Sequence, residues 1–278
     1  MLHKTMEVIR IIAAFAVIGC VFSAVFILKA ADAKPWNDFG LAGRGTRKEP
    51  FLIQNAEDLT RFAEQVNTGH DFSGVYFRQV NDIDLGECDN WVPIGAYDCG
   101  YAFRGVYDGA GHTISNIYCN GNTLLHGNVG MFGKLGGVVC NLGIESGKME
   151  GAFIGSFASH SAGESAQIIN CYSKADLKAS GRCGGIADNF GAGKIIGCVF
   201  AGTLDTEGDA GGIVSYTAGN IIGCYANSQL INEQFDGEIE DSFLMNADDV
   251  KHFMNLPALE MKVDNMDEDI LPDLYRWE

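Results

Sequence analysis

Three stretches of the chain repeat one arrangement of apolar positions: AQIINCYSKADL at 166–177, GKIIGCVFAGTL at 193–204 and GNIIGCYANSQL at 219–230. In each, an Ile precedes a Cys by three residues and a Leu follows that Cys by six: Ile168, Cys171 and Leu177; Ile195, Cys198 and Leu204; Ile221, Cys224 and Leu230. A fourth, degenerate copy lies in VGMFGKLGGVVCNLGI. There Val139 and Leu142 stand in for Ile and Cys, and Gly130-Met131-Phe132 stands in for the Gly-Gly-Ile found at 184–186 and 211–213. The intervals between Leu142, Cys171, Cys198 and Cys224 are 29, 27 and 26 residues. No 3.6-residue period runs through these units, whose apolar residues come in short β-branched and aromatic runs broken by Gly; this predicts strands. A six-residue offset is even, so Cys and Leu fall on one face of an extended chain, and the Gly or Asn just before the Cys suits a corner. Each unit therefore predicts one turn of a coil with about three short strands, in an all-β, parallel β-helix (solenoid) whose turns stack at roughly 4.8 Å. Equivalent residues become vertical ladders.

The units differ in length in one place, between Gly-[Ile/Phe] and the next Ile: KLGG, ASHSAGESAQ, ADNFGAGK and VSYTAGN. Variation confined to one site predicts loops at one solenoid corner, the first place to look for a surface ligand; a tolerated loop with no task is the plainer alternative. The ends of such a stack expose strand edges that need cover. FLIQNAEDLTRFAEQVNTG predicts a strand and then a short capping helix, with Asn55 as N-cap and Asp58 three residues on. Leu59, Phe62, Ala63 and Val66 would share its buried face, and Gly69 would end it. NADDVKHFMNLPAL predicts a second short helix with Val250, Phe253 and Met254 inward, followed by an acidic loop and the strand-like ILPDLYRW. The expected organisation is 1–33 as signal peptide or membrane anchor, 34–74 as N-terminal cap, 75–230 as a solenoid of five to seven coils, and 231–278 as an acidic C-terminal cap.

Lys4 and Arg10 precede an uncharged run, residues 11–28, that as a helix would be about 27 Å long and would meet a membrane. Ala31-Asp32-Ala33 has the small-x-small form of a cleavage site, so cleaved and retained segments both remain open, and a lipoprotein reading would use Cys20. In each version the remainder is exported. Composition agrees with many tight turns: 36 Gly against 5 Pro. The formal charge of −17 is concentrated at the end, where residues 226–278 hold 14 acids against 3 bases. With no basic stripe, nucleic acid is not an expected partner. Setting Cys20 aside leaves Cys88, Cys99, Cys119, Cys140, Cys171, Cys183, Cys198 and Cys224. The ladder cysteines are expected to be packed thiols, behaving as small hydrophobes. Cys88 and Cys99 bracket the turn-rich CDNWVPIGAYDC, and whether they form a local bridge is open. With no CxxC pair and no Cys/His cluster at zinc spacing, no metal is expected.

GRGTRKEPFLIQNAEDLTRFAEQVNTG, GVYFRQVNDIDL, WVPIG, FRGVYDGAGHTISNI, VGMFGKLGGVVCNLGI and the aligned repeats, in this order over roughly 43–230, resemble the GLUG-motif bacterial surface proteins. The resemblance implies a right-handed parallel β-solenoid, with ILPDLYRW as its closing strand. Relatives are typically exported and include adhesin-like proteins and regions attached to IgA-specific metallopeptidases. It implies architecture more than activity, since fold does not fix function.

Parallel β-solenoids also carry polysaccharide lyases and hydrolases, which need paired carboxylates or a carboxylate-bound calcium. Asp82 and Asp84 in NDIDL would share one strand face, and Asp108 and His112 in YDGAGHTI come next. These segments belong to the GLUG pattern itself, which implies that they shape turns. DNMDED at 264–269 lacks the Gly and Glu of a calcium loop. His126 and His160 are expected in loops. No catalytic residue, cofactor or metal ligand is assigned. The expected function is an exported cell-surface binding or structural module, adhesin-like and not an enzyme. Its membrane contact would run through residues 11–28, and its unknown glycan or protein ligand would sit on the corner loops. A small polysaccharide-active enzyme and a ligand-free spacer are the alternatives.

Overall fold

In a computed structural model of the chain, Ile168, Ile195 and Ile221 are register partners in adjacent parallel strands, and Val139 partners Ile168. The row continues backwards through Tyr107 and Phe77 to Phe51. All seven side chains are buried. One interior ladder thus runs the length of the stack, aromatic at the N-terminal end and aliphatic beyond. The structure describes residues 40–96, 100–123, 127–227, 238–240 and 242–244. The chain divides into two compact units, Met1–Gly40 and Leu41–Glu278, and the solenoid lies in the second.

Four parallel sheets wrap about six turns. The first holds eight strands, among them Phe51–Ile53, Gln167–Ile169, Lys194–Ile196 and Asn220–Ile222. The second holds seven, including Gly143–Ile144, Tyr172–Ser173, Val199–Phe200 and Tyr225–Ala226. The third is built on Ile117–Asn120, Gly147–Gly155, Asp176–Gly184 and Thr203–Thr206. Cys119, Met149, Leu177 and Leu204 are in register there, so the Leu of the repeat is a ladder as its spacing predicts; Leu230 lies outside the described residues.

The fourth sheet corrects the expectation of about three strands per coil. Phe132–Leu135, Ala158–Ser161, Ala187–Asn189 and Val214–Tyr216 pair in parallel inside the segments read as corner loops. Only the turns that follow, such as 162–166 and 217–219, vary in length. The repeated Gly-Gly-Ile leads into this sheet, and its glycines have a steric cause. A Cβ on Gly184 would lie 1.6 Å from the Ala187 carbonyl oxygen, and one on Gly185 1.9 Å from that of Gly212.

Between the first two sheets the chain turns through a left-handed residue, Asn141, Asn170, Gly197 or Gly223, with φ between 51° and 60°. Only Gly, and to a lesser degree Asn, takes this conformation cheaply. Where Asn is used it also bonds along the stack: Asn170 Nδ2 donates to Asn141 Oδ1 (2.8 Å), and Asn141 Nδ2 to Asp108 Oδ1 (2.9 Å). Next to it the Cys171, Cys198 and Cys224 thiols each donate to the carbonyl two residues back, at 3.2, 3.4 and 3.4 Å. A thiol there fills the core and serves a corner carbonyl at once.

The cap helix spans Ala56–Asn67, and Asn55 Oδ1 accepts from the Asp58 amide (3.0 Å) while Asp58 Oδ2 accepts from that of Gln54 (3.1 Å). Phe62, on the predicted face, packs against Phe72, Phe77, Phe103 and Tyr107, closing the aromatic end of the core. The second predicted cap, 246–259, and the run 11–28 lie outside the described residues. Among the described residues no helix is long and apolar enough to cross a membrane. Cys88, Cys119, Cys140, Cys171, Cys183, Cys198 and Cys224 carry free thiols, so Cys88 is not bridged; Cys99 lies outside the described residues.

Replacing Asn170 by Ala loses both the ladder bond and the αL tolerance, so it is expected to destabilise the fold by about 2–3 kcal/mol, whereas Asn170→Gly costs about 1–2 kcal/mol less. Denaturant midpoints compare the two. Burial pushes the Cys119 and Cys183 thiols up to about 12, and those of Cys140, Cys198 and Cys224 well above their ordinary value. Since the thiolate is the nucleophile, iodoacetamide on the native protein is expected to modify half-buried Cys88 and spare these five until denaturant is added, as read by peptide mass mapping.

Candidate functional site

The carboxylates singled out in the sequence hold turns. Asp84 accepts from the Gly86 amide (2.8 Å) and from Asn116 Nδ2 (2.9 Å), bonds that keep its carboxyl below the usual range. Asp108 is buried and accepts from the Ala110 amide and Asn141 Nδ2, both at 2.9 Å. Asp82 accepts from the Thr113 amide (2.9 Å), which lowers its pKa first of all, and lies 3.4 Å from His112 Nδ1. A lowered pKa is the reverse of what a general acid near neutral pH requires. The structure thus brings Asp82 to His112, and Asp108 into the corner ladder.

The fourth sheet places a buried polar row, Gly133, Ser159, Asp188 and Ser215, on successive coils. Ser159 Oγ donates to the Gly133 carbonyl (2.7 Å), and Ser215 Oγ donates to both the carbonyl and the carboxylate of Asp188. Arg182 reaches the same carboxylate through Nε (3.2 Å) and Nη2 (3.3 Å), with its guanidinium 5.1 Å from the Phe153 ring centroid. Burial raises the Asp188 pKa, and Arg182 and Ser215 oppose it. His160 sits in a strand rather than the expected loop, and burial with the Arg182 and Lys134 charges pushes its pKa down to about 4. His126 lies outside the described residues. His160 Nδ1 stands 3.4 Å from Ser159 Oγ, so three residue types of a nucleophilic relay are near one another. They do not form one: the serine is fully buried and donates to a backbone carbonyl, and the carboxylate is held by Arg182 and Ser215.

The outer face of the third sheet carries two rows of exposed and half-buried polar groups. Tyr118, Lys148, Asp176 and Thr203 form one register row, and Asn120, Glu150, Lys178 and Asp205 another, either side of the Cys119–Met149–Leu177–Leu204 ladder. Charges are matched within and between coils: Lys148 Nζ to Glu150 Oε1 at 2.6 Å, Lys178 Nζ to Asp205 Oδ2 at 3.5 Å, and Thr203 Oγ1 donating to Asp176 Oδ1 at 2.6 Å. Exposed pairs of this kind add little stability, on the order of 0–1 kcal/mol. Beside the second row the 176–184 strand bulges, Ser180 and Gly181 facing Ala152 alone, and a groove of about 450 Å³ opens. Asn122, Glu150, Lys178, Ser180, Asp205 and Glu207 line it. The sequence reading missed this face. Its signal was the two-residue alternation of Lys148-Met149-Glu150 and Asp176-Leu177-Lys178. Among the described residues no group of three or more His, Cys, Asp or Glu could hold a metal ion.

No family model matches the chain. It is 29% identical over 147 residues to a "Putative Gly-rich membrane protein" of Evansella cellulosilytica, a match covering 50% of this chain and 16% of that protein. It is 30% identical over 121 residues to Halomucin of Haloquadratum walsbyi, covering 40% of this chain and 1% of that one. The chain thus spans a small part of the length of the curated relatives it matches. Among solved structures, that of a "putative immunoglobulin A1 protease from Bacteroides ovatus" superposes with a TM-score of 0.54 at 21% identity, over 73% of this chain and 77% of that one. That likeness shows the fold, a β-solenoid shared without close sequence kinship.

Proposed function

We propose that the chain is an exported, surface-held β-solenoid module that binds an external ligand in the groove of its third sheet. The groove carries the reading: it is open, lined by hydrogen-bonding side chains, and set on strands fixed by the coils on either side. The corner first favoured by length variation serves less well, because each of its segments begins as strand and their buried Ser159, Asp188 and Ser215 are taken up in bonds within the stack. Surface placement draws support from relatives named as a membrane protein and as a halomucin, and membrane attachment would use residues 11–28.

The detergent-solubilised full-length protein, applied to an array of glycans, mucins and envelope proteins, is expected to be retained by at least one probe. Lys178→Glu, which breaks the Lys178–Asp205 pair in the groove, is expected to weaken that retention several-fold. The same protein incubated with a polysaccharide panel is expected to release no reducing ends. Retention by nothing would leave a structural spacer, and product release would make the chain an enzyme; either result overturns the proposal.

A further inference from the structure

The second sheet presents a different surface. Thr113, Gly143, Tyr172, Val199 and Tyr225 form one register row across five coils, in which Thr113, Tyr172 and Tyr225 are half-buried and Gly143 and Val199 are buried. Gly143 leaves space that Tyr172 fills: a Cβ at 143 would lie 2.4 Å from Cζ, 2.5 Å from Cε1 and 2.7 Å from the hydroxyl of Tyr172, so the ring lies over the preceding coil. It is clamped there. Tyr172 Oη donates to Glu145 Oε2 (2.8 Å), the other oxygen of that carboxylate accepts from Lys174 Nζ (2.6 Å), and Lys174 Nζ stands 5.6 Å from the ring centroid. Burial and the neighbouring Glu145 carboxylate hold the hydroxyl in its protonated, donating form.

From this arrangement we infer a second binding surface, for an uncharged, extended glycan chain, with one pyranose ring packed on Tyr172. Three observations select that ligand class. The ring is half-buried and immobilised before any ligand arrives, which removes much of the ordering cost of a stacking contact. Beside it the Glu145 and Lys174 charges cancel and Asp82 lies 3.4 Å from His112 Nδ1, offering hydroxyl-binding donors and acceptors with no surplus of positive charge, on a chain whose formal charge of −17 repels polyanions. Tyr225 recurs in the same row two coils on, about 10 Å away at the usual strand spacing. That separation matches one disaccharide unit of an extended β-1,4-linked chain running along the stack.

The surface is separate from the groove, so the two readings fail separately. The full-length protein in detergent is titrated calorimetrically with cellohexaose and with a hexameric oligogalacturonate. The expected result is binding of cellohexaose in preference to the acidic oligomer, weakened about ten-fold by Tyr172→Ala through loss of the ring face, and within about three-fold of wild type in Tyr172→Phe, which keeps the ring. Gly143→Ala, which displaces the ring and leaves Tyr172 in place, is expected to weaken binding as well. If Tyr172→Ala lowers the thermal transition, Tyr172→Leu takes its place, covering Gly143 without a ring face. Lys178→Glu is expected to leave cellohexaose binding unchanged. Absence of cellohexaose binding, equal binding by the alanine or leucine variant, preference for the acidic oligomer, or loss on Lys178→Glu would each overturn the inference. Retention of other array probes in the first case would leave the groove assignment standing.

Discussion

Each coil can satisfy its strand amides and carbonyls only with the coil before it and the coil after it. A parallel stack at roughly 4.8 Å follows, and with it the rule that each interior residue meets its own counterpart one turn away. That rule accounts for a ladder sorted into two blocks, aromatic from Phe51 to Tyr107 and aliphatic from Val139 to Ile221, so that like-sized rungs stack on one another and the size changes at a single step. It also explains the caps. Among the described residues no coil precedes the first, and Phe62 of the cap helix supplies apolar contact to the rings there.

The same constraint governs buried polar groups. A polar side chain inside the stack must find its partner on an adjacent coil or on its own. Gln79 accepts from the Tyr107 hydroxyl (2.9 Å) and donates to the Asn81 and Thr113 carbonyls; Trp91 donates to the Met131 carbonyl (3.1 Å). Asp188 is the costly case, a fully buried carboxylate whose removal from water is offset by Arg182 and Ser215. Arg182 in turn lies on Phe153, so an ionic contact and a ring contact fix one side chain.

Much of the interior was legible because a ladder repeats residue type at fixed spacing: Ile168, Ile195 and Ile221 announce themselves, as do the thiols beside them and the helix face built on Leu59, Phe62, Ala63 and Val66. The fourth sheet was hidden for a physical reason. Its strands carry Ser159, Asp188 and Ser215, residues that read as loop because their partners, backbone carbonyls and a side chain brought close by folding, do not show in a linear sequence. The bulge at Ser180-Gly181 was hidden likewise, since two residues facing one is a property of pairing and not of either segment. Tyr172 is legible as a half-exposed strand residue, but its posture depends on Gly143, 29 residues earlier, having no side chain.

The coil lengths of 29, 27 and 26 residues keep a common register because the differences are absorbed in turns such as 162–166 and 217–219. Copying or deleting one such stretch during gene duplication would therefore preserve every neighbouring contact, with a new coil docking on surfaces already shaped for it. Length in such a molecule is counted in whole coils. The length of the stack can drift in steps of a few ångströms, while each face keeps its chemistry.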